Sequence, residues 1–501
     1  MASPILGIDF GTTNTAAAFF DASGKLRLVP VKDKTFILPS VVWFRAADKA
    51  VVGHAARTQV IDDPRHTIFE SKRFLGRRFH SEYVARHREK FAFELVEGED
   101  GYCAFYVYGK VQALTEVARQ VISQIAALAG AVHGSPFTEC VLTVPAHAGV
   151  RQRDAMRVAA EKCGLTVRAV LNEPTAAALY YANLRNPEQT VLVFDLGGGT
   201  FDATLLSVHN RVVKVLATGG DGFLGGANFD EAIVEHLASL FQEQTGIDLR
   251  QNVVVHQRLR LAAEAAKIAL SRSEKTRIRV AAAAQRDGQF VDLDGELTRQ
   301  ELEQLSFGLI ERAAAAVDDL LIRGNLKPEQ IDELVLVGGQ TRMPAVRARF
   351  AHFKRHSSEK DVHPDLGVAI GAAIMGRNIA RGSSALVDVV PMAISVMLPG
   401  GVTHEVIPAN TTVPCTRAVE LPGLPAWNAP VPVVLFEALD RTSTEREQLG
   451  TVQIGSEWRV SGTPRLELTL GADFVLQAKL HASSGASGEA TIVDHRPQSR
   501  R

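Results

Sequence analysis

From Pro4 to about Arg381, short apolar runs alternate with longer stretches whose apolar residues recur at spacings of three and four, the layering of an α/β chain. The short runs predict strands at Ile5–Asp9, Val141–Pro145, Thr190–Asp195 and Glu333–Val337. The longer ones predict helices at Leu114–Ala129, Arg151–Cys163, Asn228–Thr245 and Gln257–Ser271. One sub-pattern occurs twice, at Ile5–Phe20 and Val191–Ser207: an apolar strand, an aspartate, a Gly/Thr turn and a second apolar run. This recurrence predicts an internal duplication, two structurally similar lobes. Near Gly382–Ser384 helical periodicity stops, prolines crowd in between Pro391 and Pro432, and alternation such as Leu466-Glu467-Leu468-Thr469-Leu470 takes over, a β-sandwich pattern. The expected organisation is an α/β unit over 1–381, a linker over 382–391, a sandwich over 392–493 and a frayed tail over 494–501.

A chain of 501 residues with 46% apolar and 22% charged positions fits about three ordinary globular units. A net charge of -1 gives no electrostatic reason to expect nucleic acid or an anionic membrane as partner. The cysteines Cys103, Cys140, Cys163 and Cys415 contain no C-x-x-C pair, so neither a disulfide framework nor a zinc site is predicted. The start Met1-Ala2-Ser3-Pro4 has no basic region ahead of an apolar core, and no run reaches the roughly 18 apolar residues of a membrane span. A cytoplasmic, monomeric protein is the expectation.

The chemistry concentrates in Asp9-Phe10-Gly11-Thr12-Thr13-Asn14 and Asp195-Leu196-Gly197-Gly198-Gly199-Thr200-Phe201-Asp202. Glycines let the backbone approach a phosphate, Thr12, Thr13 and Thr200 add hydroxyls, and the aspartates stand ready for a hydrated Mg²⁺. Either loop alone reads equally as an empty tight turn; the pair, each after a strand and an aspartate, reads as a nucleotide clamp. A third turn, Gly338-Gly339-Gln340-Thr341-Arg342, offers bare backbone and a guanidinium to a purine, or is a plain strand-to-helix turn. Gly220-Asp221-Gly222-Phe223-Leu224-Gly225 fits the dinucleotide fingerprint, but helical text from Asn228 stands where its second strand belongs. Neither Gly24-Lys25 nor Gly109-Lys110 is followed by Ser or Thr, so no P-loop is present. Lys72, in a basic run, and Glu173, before Pro174, are candidates for γ-phosphate stabilisation and water placement; a solvated helix face and a helix N-terminus are the plainer readings.

Gly7-Ile8-Asp9-Phe10-Gly11-Thr12-Thr13-Asn14, Asn172-Glu173-Pro174-Thr175-Ala176-Ala177-Ala178 and Asp195–Asp202 together resemble the DnaK-type chaperones, the heat shock protein 70 family, and the resemblance covers nearly the whole chain. It implies an actin-like two-lobed nucleotide-binding domain with ATP or ADP and Mg²⁺ in the cleft, then a linker and a peptide-binding β-sandwich. Carried over by residue, Gly11, Thr12, Thr13, Asn14, Gly197, Gly198, Gly199, Thr200, Gly338 and Gly339 would surround the phosphates, and Asp9, Asp195 and Asp202 the Mg²⁺, mostly through water. Lys72, Glu173 and Thr200 would be the hydrolytic groups. Glu264, Lys267 and Ser271, on one helix face, would contact adenosine, with Arg342 beside the purine. Pro145, Arg153 and Asp388 would relay nucleotide state. Val396, Pro399, Leu421, Leu424, Val431 and Val433 would surround an extended apolar peptide. J-domain co-chaperones and nucleotide-exchange factors are the partners implied.

The chain departs from the family in several places. The aromatic pair after Pro-Ala is His147-Ala148, the acidic pair after Leu224-Gly225-Gly226 is Ala227-Asn228, and the J-domain contact arginine is Ala169, with Arg168 one place earlier. The linker, Ser384-Ala385-Leu386-Val387-Asp388, lacks two large aliphatics. At about 0.8 kcal/mol per buried CH₂ this removes several kcal/mol of docking drive, so weakened coupling is expected. The family usually continues into a helical lid, whereas this text closes over Ser483–Val493 and ends at Arg501, so a lidless form with fast peptide release is expected. An ATP-dependent chaperone is the leading reading. A nucleotide-switched regulator with little ATPase activity, and a small-molecule kinase of the actin-like superfamily, stand beside it.

Overall fold

The structure, a computed structural model, describes residues 4–33, 35–184, 188–209, 212–356, 363–383, 386–424, 429–438, 446–459, 462–471 and 473–493. The expected tail and two linker residues, Ser384 and Ala385, lie outside that set.

The predicted duplication reappears as one wiring used twice. Leu6–Phe10 pairs antiparallel with Asn14–Phe20 and parallel with Glu139–Val144, which is followed by Thr166–Asn172. In the second lobe Gln189–Leu196 pairs antiparallel with Phe201–His209 and parallel with Glu333–Val337, and Val212–Asp221 extends the sheet. Even the hairpin turns match: Gly11 N–H donates to the Asn14 carbonyl at 2.9 Å, and Gly197 N–H to the Thr200 carbonyl at 3.0 Å. Each lobe buries its own apolar core. Leu386–Val387 adds to the second sheet as an edge strand parallel to Val213 and Lys214.

The predicted helices are present with shifted ends. The helix expected over Leu114–Ala129 continues to His133 and stops at left-handed Gly134. That expected from Gln257 begins at Val253, because the Asn252 side chain accepts hydrogen bonds from Val254 and Val255 N–H. The other two run Val150–Glu161 and Gly226–Thr245. In the latter, the first amides donate to the Gly197 and Gly198 carbonyls at 2.9 Å. The Gly220–Gly225 motif therefore supports the second phosphate loop rather than a dinucleotide.

Two helices without a polar face, Glu173–Leu184 and Gly367–Ala380, are buried along most of their length and pack on each other between the lobes. Their approach requires glycine, since a Cβ at Gly371 would lie 1.8 Å from the Ala176 carbonyl oxygen.

Behind the lobes, the Leu466–Leu470 alternation points Leu466, Leu468 and Leu470 into a sandwich core. One sheet runs in the order Thr403–Ile407, Ala393–Met397, Val431–Ala438, Glu447–Ile454, Ile492–Val493. The other runs Cys415–Glu420, Arg465–Leu470, Leu476–His481, Ser487–Ala490.

Gly371→Ala is expected to destabilise the protein by about 1–3 kcal/mol or more in denaturant titrations, as overpacking does. Gly308→Ala, in a helix where an added Cβ meets nothing within 4 Å, should instead stabilise by about 0.5–1 kcal/mol.

Candidate active site

The two matched hairpin turns face each other across the cleft closely enough to interlock. A Cβ at Gly198 would lie 2.1 Å from Thr13 Oγ1, and one at Gly199 2.8 Å from the Thr12 side chain. Ser40 braces the first loop, its Oγ donating to the Gly11 carbonyl at 2.8 Å.

A cavity of about 550 Å³ opens beside this junction, within the range of small-ligand sites, roughly 300–1,000 Å³. It is lined by Thr12, Thr13, Asn14, Gly197, Gly198, Glu264, Lys267, Ser271, Gly339 and Arg342, which the sequence had drawn from four distant segments. An adjoining space of about 100 Å³ is lined by Asp9, Gly11, Lys72, Glu173, Asp195, Gly199, Thr200 and Gly338. Thr12, Thr13, Asn14, Gly197, Gly198 and Gly339 line both spaces, the expected purine groups Glu264, Lys267, Ser271 and Arg342 line only the larger, and Asp202, expected at the Mg²⁺, lines neither. Gly338, at φ +84°, must be glycine: a Cβ there would meet the Leu196 carbonyl at 2.3 Å.

Lys72 does not lie on a solvated helix face. It sits in the one-turn helix Ser71–Arg73, only 2% exposed, and donates to the Phe10 carbonyl and to Glu173 Oε1, the latter at 2.5 Å. Glu173 opens its helix, so the plain structural reading of that position and the chemical one hold together. Burial raises the Glu173 carboxyl, opposed by Lys72 and reinforced by Asp9 and Asp202. Burial likewise raises Asp9, which Thr143 Oγ1 hydrogen-bonds at 2.9 Å, and raises Asp195 strongly, with Glu173, Asp202 and Asp9 adding repulsion. Asp202 faces Asp195 across the hairpin and is 1% exposed; its Oδ2 has no protein partner.

That orphaned oxygen and the surplus of buried carboxylate over ammonium fit a hydrated Mg²⁺. Among the described residues no three His, Cys, Asp or Glu side chains converge to chelate a metal unaided.

Several charged partners were not legible in the sequence. Lys267 pairs with Asp230 at 2.8 Å, and burial pushes the Asp230 carboxyl up to about 6 against that pull. Arg342 pairs with Asp365 at 2.7 Å, and Glu264 with Arg57 of the opposite lobe. Only contact across long sequence separations reveals these pairs.

The expected relay residues come together at the sandwich. Buried Arg153 donates to Asn172 Oδ1 at 2.5 Å, and Asn172 Nδ2 donates to the Asp388 carboxylate at 3.1 Å. Arg153 also lies 4.0 Å over the Phe474 ring, and Pro145 closes a turn by accepting from Ala148 N–H at 3.0 Å. Asn172, adjacent to Glu173, and Glu437 of the sandwich join this group, and no local motif marks either of them for it. The Glu437 carboxylate reaches from the sandwich to Val150 N–H at 3.0 Å, capping the Val150–Glu161 helix. Arg168 pairs with Glu139 at a bulge, and Asn410 accepts from Thr218 N–H at 3.1 Å.

The peptide-site residues are placed differently from a lined channel. Val396, Leu421, Val431 and Val433 are at most 1% exposed, the valines because strand alternation turns them inward and Leu421, just past the end of its strand, because it packs into the sandwich core; Leu424 packs against that core and Pro399 lies in a turn. In this structure the expected channel is filled by its own side chains.

Paired lobes of like wiring around a phosphate cleft, followed by a sandwich, define an actin-like ATP-binding protein with an appended β domain. A family model described as Hsp70 protein matches residues 5–474. The chain is 34% identical over 493 residues to the mitochondrial heat shock 70 kDa protein of Dictyostelium discoideum, covering 98% of the chain and 75% of that protein. The chain belongs to the heat shock protein 70 family. Members are ATP-dependent chaperones that hydrolyse ATP with Mg²⁺ and bind unfolded polypeptides and co-chaperones. The cytoplasmic location expected from the sequence is corrected by this relative, a mitochondrial protein. Composition and cysteine usage do not separate two reducing compartments.

Burial pushes the Glu437 carboxyl up to about 7, against the Val150 amide, Arg153 and Arg151 and with help from Glu447. A carboxyl raised on docking takes up a proton, so docking is favoured fully below its free value, near 4.3, and the gain is lost as pH rises through 7. Fluorescence energy transfer between labels on the sandwich and the lobes should therefore weaken between about pH 5 and pH 8. Glu437→Gln should flatten that profile.

Proposed function

We propose that the chain is an ATP hydrolase whose nucleotide state governs how its β-sandwich, over 392–493, holds extended apolar peptide segments. The observation that carries this reading is the continuous buried path from the phosphate chamber to the sandwich: Lys72, Glu173, the adjacent Asn172, Arg153 and Asp388. A nucleotide-binding protein without an appended effector has no use for a buried charge chain leading out of its cleft.

In this reading the phosphates lie between the Thr12–Thr13 and Gly197–Thr200 loops, whose backbone amides and hydroxyls are pre-aimed at them. When bound, Mg²⁺ would supply positive charge to offset that of the phosphates. Lys72 stabilises charge developing at the γ-phosphate, Glu173 orients the attacking water, and Thr200 positions the γ-phosphate for in-line displacement. Asp9, Asp195 and Asp202 hold the hydrated cation. Glu264, Lys267, Ser271 and Arg342 would hold the adenosine, with Arg342 beside the purine.

For the sandwich, Val396, Leu421, Val431 and Val433 become channel lining only once the strands bearing them part, with Pro399 and Leu424 arching above. Opening of this kind uses the edge contacts the sandwich makes with the lobes, so docking and peptide access are linked. The shortened linker over 382–391 leaves the Arg153–Asn172–Asp388 chain, rather than aliphatic burial, as the main carrier of coupling. J-domain co-chaperones and exchange factors are the expected partners, with Arg168 and Asn410 near the first of these.

Single-turnover ATP hydrolysis, with and without a panel of unfolded peptides, tests the reading. Wild type should hydrolyse ATP and accelerate with peptide, and Thr200→Ala should lose about 10²-fold or more in rate. Hydrolysis absent from both proteins would point instead to a nucleotide-switched regulator.

A further inference from the structure

The turn that carries Pro145 also presents His147, and this imidazole is used in an unusual way. Its Nδ1–H donates to Asp202 Oδ1 at 2.9 Å, and its backbone N–H reaches the same oxygen at 3.3 Å. Two donors from one residue therefore saturate one carboxylate oxygen, while Oδ2, buried, has no partner in the protein. The imidazole is largely covered, its side chain 18% exposed. Space for the ring comes from Gly222, where a Cβ would lie 2.7 Å from His147 Nε2. The ring is thus held in a slot, and the carboxylate in one rotation.

We propose that His147 is a positioning residue for the divalent cation of the ATP site: it occupies Asp202 Oδ1 with two hydrogen bonds and so leaves Oδ2 as the oxygen that would accept from the hydrated ion. The inference rests on the ATP-site reading given above. Without these two donors the buried Asp202 carboxylate has no protein hydrogen bond fixing its rotation, and fixing it beforehand removes that freedom before the ion arrives. The clamp also ties the ion to the sandwich. His147 lies in the turn closed by Ala148 N–H on the Pro145 carbonyl, and the helix beginning three residues later, at Val150, is capped by Glu437. A shift of Asp202 toward or away from a cation displaces a turn on which the sandwich is docked.

The test separates metal positioning from general loosening. Release of ADP carrying a fluorescent ribose label is measured in excess Mg²⁺ and in EDTA, for wild type, His147→Ala and His147→Asn. Asparagine retains an N–H donor at the Nδ1 position, while alanine does not. Wild type should release ADP more slowly in Mg²⁺ than in EDTA. In His147→Ala that Mg²⁺ effect should shrink by about 10- to 100-fold, the usual cost of losing an outer partner of a metal ligand, with the EDTA rate close to wild type. His147→Asn should recover most of the effect, and thermal melts should show all three folded.

A wild-type Mg²⁺ effect retained in His147→Ala would overturn the inference while leaving the ATP site intact. A proportionate rise of the EDTA rate in His147→Ala would also overturn it, as a purely structural role. No Mg²⁺ effect in wild type would overturn the ATP-site reading itself.

Discussion

A lysine ammonium sealed between the Phe10 carbonyl and the Glu173 carboxylate is the contact on which the cleft depends. It joins the first phosphate loop, 62 residues before the lysine, to the start of an inter-lobe helix, 101 residues after it. Asp9 and Asp195 line the same chamber, with Asp202 buried beside Asp195 across the hairpin, and burial raises the first two together with Glu173. Four carboxylates gathered about the Lys72 ammonium are an incomplete charge balance. Breaking such a pair leaves an uncompensated buried charge, costing about 3–5 kcal/mol. The chamber is therefore built for a ligand that brings positive charge with it, as Mg²⁺ with a nucleotide does.

The charge does not end at the chamber wall. Glu173 is followed backwards along the chain by Asn172, whose amide connects Arg153 on one side to Asp388 on the other. A neutral amide between a guanidinium and a carboxylate suits a relay, because it orders both without committing either to a direct ion pair. Burial lowers the Arg153 guanidinium to about 10 and raises the Asp388 carboxyl, so both are held at a desolvation cost. Such buried polar chains are sensitive to small shifts, since a partly satisfied one is worse than an apolar core. That sensitivity is what a nucleotide-driven switch needs.

Much of this was legible from residue order because local chemistry and fold coincide. A glycine-threonine turn after an apolar strand and an aspartate has few uses, and its repetition at Asp9 and Asp195 announced the two sheets before their pairing was known. Helix interiors followed from periodicity, while helix ends depended on caps such as Asn252 and the left-handed Gly134. What was hidden depended on distance in sequence: Asp230 behind Lys267, Asp365 behind Arg342, and Glu437 on the Val150 amide. His147 stood out as a departure, but only geometry gave it a partner. In the sandwich, the resemblance places Val396 and Val433 around a channel, and both are buried between the sheets here; an inward apolar position is core as readily as channel, and periodicity does not distinguish them.

The central claim is that the cleft communicates with the sandwich through Asn172. Amide hydrogen exchange of residues 386–390, followed with ATP and with ADP in wild type and in Asn172→Ala, tests it most directly. The account predicts that ATP slows exchange across this segment in wild type and that the nucleotide difference vanishes in Asn172→Ala, with ATP still bound. An ATP response in Asn172→Ala equal to that of wild type would contradict it.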